Sequence, residues 1–176
     1  QTHCEKLEKK ELQEILEHDD VKQLYNDSLI WKQFREKPIT STLPLSDVIV
    51  LPLVLALSNE KHIASAVKFQ VEPSIPYPID SAIISYQIIK KEAEKYFFTV
   101  FCSHKSSIER HLKKLKEYSL DPQTITCVPA ALATAAHYLI PESTLRFALH
   151  ISENNALCSL IYKDKVLLAH TIDIGA

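Results

Sequence analysis

Residues 69–89 read FQVEPSIPYPIDSAIISYQII, and this stretch decides the architecture. Its opening closes an apolar pattern. Ile63, Ala66, Val67, Gln70 and Val71 fall at i, i+3, i+4, i+7 and i+8, the spacing of an amphipathic helix. Ser58 stands where that helix would take its N-cap. Pro73, Pro76 and Pro78 then end the helix in an extended stretch, because each proline lacks a backbone donor and biases the preceding residue away from helix. Ile83–Ile89 is the next apolar run, and Tyr96–Cys102 follows it across the charged segment KKEAEK. Two such runs around a short polar link predict a β-hairpin.

Working outward toward the N-terminus, residues 48–57 (VIVLPLVLAL) are β-branched and too short for a long helix, so they predict a strand. Pro52 places it at a sheet edge or a bulge. Residues 38–46 (PITSTLPLS) read as a linker. Residues 4–37 are charge-rich, with Leu7, Leu12, Ile15 and Leu16 and then Val21, Leu24, Ile30, Trp31 and Phe34 at helical spacing. They predict a helical arm, either packed on the domain or docking a partner. Toward the C-terminus, Ser106 and Ser107 precede a helix expected to turn Ile108, Leu112, Leu115 and Tyr118 inward. A short strand, Thr124–Val128, leads to an Ala-rich helix that Pro129 starts and Pro141 stops. Leu145–Ile151, Leu157–Tyr162 and Val166–Ile172 read as three strands, with Asn154-Asn155 and Lys163-Asp164 at the turns.

The composition removes several functions. The chain has 176 residues, 46% of them apolar, and a net charge of −2, which gives no charge-driven reason for nucleic-acid binding. No window approaches the ~20 apolar residues of a membrane span. Gly175 is the only glycine. Phosphate loops and nucleophile elbows need positive φ and close backbone approach, so residues 1–174 cannot hold a P-loop, a Rossmann fingerprint or a G-x-S-x-G elbow. The chain has no Met and starts at Gln1, which predicts a fragment or a processed protein. Cys4, Cys102, Cys127 and Cys158 form no C-x-x-C pair and are expected to be free thiols in a reducing compartment.

Three constellations bear on chemistry. Cys102, His104 and His111 offer metal-ligand types, but their spacing fits no metal motif, and a buried Cys beside two surface His is the plainer reading. Cys127 and His137 lack a third orienting group, so a nucleophile–base pair is not expected. Lys105, Arg110, Lys113, Lys114 and Lys116 against Glu109 give residues 105–116 a local charge of +4. That is a solvated helix face or a surface for an acidic partner or anionic headgroups.

The order of elements and the wording of the motifs resemble a family. In Phe69–Ile89, the residues Phe69, Glu72, Ile75, Pro76, Tyr77, Pro78, Asp80 and Tyr86 fall into register with a signature of PilM and GspL proteins. These are actin-like cytoplasmic components of type IV pilus and type II secretion machines, related to the division protein FtsA. Phe98–Ala135 is similar to the family's strand–helix–strand segment, with Ser119 in place of its turn glycine. The strands from Phe147 to Gly175 resemble the opening sheet of the second actin-like half. The match covers roughly residues 43–176. ATP-binding members carry D-x-G after the first strand of that half. Here the triplet is His150, Ile151 and Ser152, which offers no carboxylate to a hard cation and adds a Cβ where the phosphate approaches.

The resemblance implies an α/β fold of three parts: a helical arm and linker (1–42), an FtsA/PilM-type sheet-and-helix interaction subdomain (43–128), and the start of a second actin-like, ribonuclease H-like subdomain (129–176). It implies a non-catalytic cytoplasmic scaffold at the inner-membrane face, without cofactor or metal. Such a scaffold links an assembly ATPase to inner-membrane platform proteins, and a homodimer is compatible with it. The competing expectation is an actin-like ATPase completed by segments outside this chain. The expected partner surface comprises the edge strand at Pro52, Tyr77 held outward by its flanking prolines, and the cations Arg110, Lys113, Lys114 and Lys116; the alternative is that Tyr77 fills the core, the N-terminal helices cover the edge and the lysines are only solvated. No nucleic-acid partner is expected.

Overall fold

The structure is a computed structural model that describes residues 38–57, 60–118, 120–151 and 155–173. The helices expected over 4–37, the Ser58 cap, Ser119, Ser152 and Asn154 lie outside the described residues. The strands are β1 (Thr40–Leu43), β2 (Ile49–Ala56), β3 (Ala82–Glu92), β4 (Lys95–His104), β5 (Thr124–Cys127), β6 (Leu145–Ile151), β7 (Asn155–Tyr162) and β8 (Lys165–Asp173). The helices are α1 (Ile63–Val71), α2 (Lys105–Glu117) and α3 (Val128–Leu139). Three sheets result: parallel β1–β5, antiparallel β2-β4-β3 and antiparallel β6-β7-β8.

In the central sheet β2-β4-β3 the apolar runs are sorted onto two faces. Leu51, Leu53 and Leu55 of β2 share a face with Tyr96, Phe98, Val100 and Cys102 of β4. The helix α1 lays Ile63, Val67 and Val71 on that face, and Val67 and Val100 are fully buried. Two edge-on or stacked ring pairs, Tyr86–Phe98 and Tyr96–Phe98, fill the middle. The prolines after α1 carry the chain back over this core through Ile75, which is also buried. β2 is an edge strand, as Pro52 requires, and Pro52 itself is exposed.

The opposite face of the central sheet holds two smaller cores. Leu43, Val48 and Cys127 form one with Val50, Ile108, Ile125 and Ala130. Ala133 of α3, Ile161 and Val166 form the other, with Ala136, Ala148 and Ala169. Phe101 of β4 packs against both. The alanines of α3 let that helix sit close on the inner face of β6-β7-β8. The outer face of that sheet keeps Leu145, Phe147, Leu149, Ile151, Leu168 and Ile172 at least half exposed. Arg146, 6% exposed, clamps the end of α3: its Nε donates to the Ile140 carbonyl (2.7 Å) and its Nη1 to the Lys163 carbonyl (2.6 Å). A cation beside a helix C-terminus is favoured by the helix dipole.

Two strands bulge where the central and C-terminal sheets meet. Pairing between β3 and β4 slips at Ile88/Lys90, leaving Ile89 as the extra residue, and pairing between β7 and β8 slips so that Leu167 is extra. A bulge releases backbone groups from their ladder, and buried backbone groups need partners. At this junction side chains of each sheet bond backbone groups of the other. Lys165 Nζ donates to the Ile88 carbonyl (2.5 Å), the Val166 N–H donates to Gln87 Oε1 (3.2 Å), and Thr99 Oγ1 donates to the Val166 carbonyl (2.5 Å).

One expectation is corrected and another narrowed. The stretch 38–46 is not a plain linker, because Thr40–Leu43 pairs in register with Thr124–Cys127 and Leu45–Asp47 forms a 3-10 turn. Leu112 turns to the sheet side of α2 with Ile108 but is not sealed in a core: it stays 37% exposed, and His111 beside it meets Ser41 Oγ through Nε2 at 2.7 Å.

Candidate functional site

The region around α2 is anchored first by Asp47. Its backbone carbonyl accepts from Ser103 Oγ (2.7 Å), and its carboxylate accepts from Ser107 Oγ (3.2 Å) and Arg110 Nη2 (3.1 Å). A negative charge beside the first turn of α2 is favoured by the helix dipole. His104 caps the same helix, its side chain accepting from the Ser106 N–H (3.1 Å). Thus α2 is held at its start and by His111, yet none of its residues is fully buried.

Holding α2 away from the sheet leaves a cleft. Its floor is the second face of the central sheet, with Ile83, Ser85, Gln87, Phe101 and Ser103. Its walls are Ile108 and Leu112 of α2, Leu43 of β1, Ile125 and Cys127 of β5, and Ala130 at the start of α3. The volume is about 520 Å³. An apolar hollow with a few convergent polar groups is the usual form of a binding site. The residues that line it come from six elements separated by up to 87 positions, so no local sequence window could have signalled it.

The sequence-derived candidates are placed as follows. Pro52 lies on the exposed edge strand β2, against Thr99 in register. Tyr77 is not held outward, which corrects that expectation. Its ring packs on the α1-side core and meets His104 edge-on at 5.0 Å, and its hydroxyl is buried. The prolines stiffen the chain so as to press the ring in. Arg110 pairs with Asp47, whereas Lys113, Lys114 and Lys116 are exposed and form no ion pair among the described residues.

Cys102, His104 and His111 do not converge. Cys102 is in the α1-side core, His104 caps α2, and His111 bonds Ser41. No cluster of three or more metal-ligating side chains occurs among the described residues. Burial pushes the Cys102 thiol up to about 11 and raises Cys127 as well. Tyr77 is raised by burial and by the neighbouring Cys102. Cys127 lies at the N-terminus of α3 and His137 ten residues on, about 15 Å along the helix at 1.5 Å per residue, and His137 is exposed. They form no nucleophile–base pair. His150 is exposed on β6, opposite Leu157.

No protein-family model matches the sequence, and no curated protein sequence matches it significantly. Among the solved structures similar to this chain, two stand out by fold. One is a PilM–PilN type IV pilus biogenesis complex, with a TM-score of 0.72 and 20% identity over 88% of this chain and 48% of that one. The other is the cytoplasmic domain of EpsL, an inner membrane component of the type II secretion system of Vibrio cholerae, with a TM-score of 0.59 and 14% identity over 81% of this chain and 53% of that one. The chain thus spans about half the length of each. Among the described residues no helix is long and apolar enough to cross a membrane. In the course of its strands and helices, the chain has the mixed α/β fold of PilM and of the cytoplasmic domain of EpsL.

Proposed function

We propose that this chain is a non-catalytic scaffold of a type IV pilus or type II secretion-like assembly, working at the cytoplasmic face of the inner membrane. It joins an assembly ATPase to inner-membrane components, and the cleft beneath α2 holds a short segment of one of them. The cleft carries the reading: it is roomy, largely apolar and floored by Ser85, Gln87 and Ser103. Rigid walls around a few polar groups suit binding of an extended segment at low entropic cost. The likeness to a protein solved in complex with PilN supports it. His150 in place of the aspartate of ATP-binding relatives supports the non-catalytic role, since an imidazole is a poor ligand for Mg²⁺.

The test is calorimetry with the cytoplasmic segment of the cognate inner-membrane protein and, separately, with Mg-ATP. The expected result is saturable binding of the segment, loss of that binding when Ile125→Trp fills the cleft, and no heat with ATP. Saturable ATP binding would overturn the non-catalytic role. Equal segment binding by a folded Ile125→Trp variant would overturn the cleft.

A further inference from the structure

The cleft does not end at α2. Leu112 lines it, and Leu112 also lines a second hollow, of about 640 Å³, shared with Lys113, Lys116, Leu120 and Asp121. Ile108, Leu112 and Lys116 stand at i, i+4 and i+8, so they form one stripe along the helix. That stripe reads apolar, apolar, cationic. A large apolar side chain left 37% exposed between two hollows is a saddle that an occupant would cover.

The charges along this path are one-sided. Arg110 is already answered by Asp47. Lys113 and Lys116 flank the second hollow, Lys114 is next to them, and none of the three makes an ion pair among the described residues. Asp121 is the one carboxylate lining that hollow, and Glu109 and Glu117 are the two acids on α2 itself. The outlet therefore stays net cationic.

Resting on the proposal that the cleft holds a partner segment, we infer that the segment is apolar where it sits in the cleft and acidic where it leaves, with its carboxylates meeting Lys113 and Lys116. The spacing sets the register. Ile108 to Lys116 is eight helical residues, about 12 Å at 1.5 Å per residue. An extended chain covers that in roughly four residues at ~3.3 Å each. The recognised pattern is thus an apolar anchor followed about four residues later by Asp or Glu. A protein segment is favoured over a lipid surface because the cations lie beside a hollow deep enough to take side chains, not on a flat face.

A phage-displayed library of random peptides of about twelve residues, panned on the whole chain, tests this. The expected selection is enriched in apolar residues with an acid about four positions on. One selected peptide is then measured against wild type, Ile125→Trp and the double variant Lys113→Gln/Lys116→Gln. Two exposed pairs predict a loss of about five- to tenfold in the double variant. That loss disappears when the peptide's acids are replaced by Asn or Gln, and it shrinks at high salt. Selected peptides that need an open cleft yet ignore both lysines would sink the acidic register while leaving the cleft reading intact. Peptides unaffected by Ile125→Trp would sink both. Binding of phosphatidylglycerol vesicles that depends on the lysines and is not displaced by the peptide would overturn the assignment in favour of a lipid surface.

Discussion

The two faces of the central sheet are built from the same three strands and behave as different materials. The face under α1 is dry: Phe98, Val100 and Cys102 are at most 2% exposed, and nearly every contact is apolar. The other face carries Thr99, Ser103, Ser85 and Gln87, and it meets its neighbours through hydrogen bonds and around an open cleft. Alternation along β4 divides the two, since successive side chains point to opposite faces. One face is made to be shut and the other to be joined to something.

Substitutions sharpen that contrast. Phe98→Ala, which empties the middle of the dry face, is expected to cost about 3–5 kcal/mol in urea unfolding. A cost near zero would show that α1 does not seal the sheet. The alkaline limb comes next. The Cys102 thiol is raised to about 11 from an ordinary value near 9, so the unfolded chain ionises first as pH rises. Stability is therefore full below pH 9 and falls between 9 and 11, by at most about 1.4 kcal/mol per pH unit for one group. Tyr77 and Cys127 shift in the same direction and add to the fall. Unfolding followed across that range should show a shallower decline in Cys102→Ala than in wild type.

Thr99→Val tests the wet face by keeping the shape and removing the hydroxyl that partners the Val166 carbonyl. About 1–3 kcal/mol should be lost. If it cost as much as Phe98→Ala, the contrast between the faces would fail. Smallest of all, Leu112→Asn on the saddle should alter stability by no more than about 0.5 kcal/mol. The same change should weaken segment binding measurably by calorimetry, and a large stability loss with unchanged binding would mark Leu112 as core.

Much of this architecture is legible in the residues themselves. The strand expected over Leu145–Ile151 has those limits, and Val48–Leu57, Tyr96–Cys102 and Val166–Ile172 agree with β2, β4 and β8 within a residue or two at each end. Those segments announce themselves as short apolar, β-branched runs set off by polar turns or prolines. β1 does not, because four residues gain a partner only through β5, 84 positions away in register, and Ser41 and Thr40 look like loop residues until that pairing exists. Tyr77 departs from its expectation for a related reason. Flanking prolines say that the chain is stiff, but not which way the ring points; the core around Cys102 and His104 decides that. The cleft is the least legible feature of all, since it is the gap left where Asp47 and His111 fix the height of α2.

The paired bulges have a consequence for cooperativity. The Ile88 carbonyl takes its bond from Lys165 of the C-terminal sheet, and the Val166 N–H and carbonyl bond Gln87 and Thr99 of the central sheet. Separation would leave the Val166 N–H and carbonyl and the Ile88 carbonyl to find water at once, along with the apolar surface of Phe101. The central and C-terminal sheets are thus thermodynamically one unit, expected to melt in a single transition and to exchange their junction amides only through global opening. A pull on β6-β7-β8 is therefore expected to load the central sheet through these bonds.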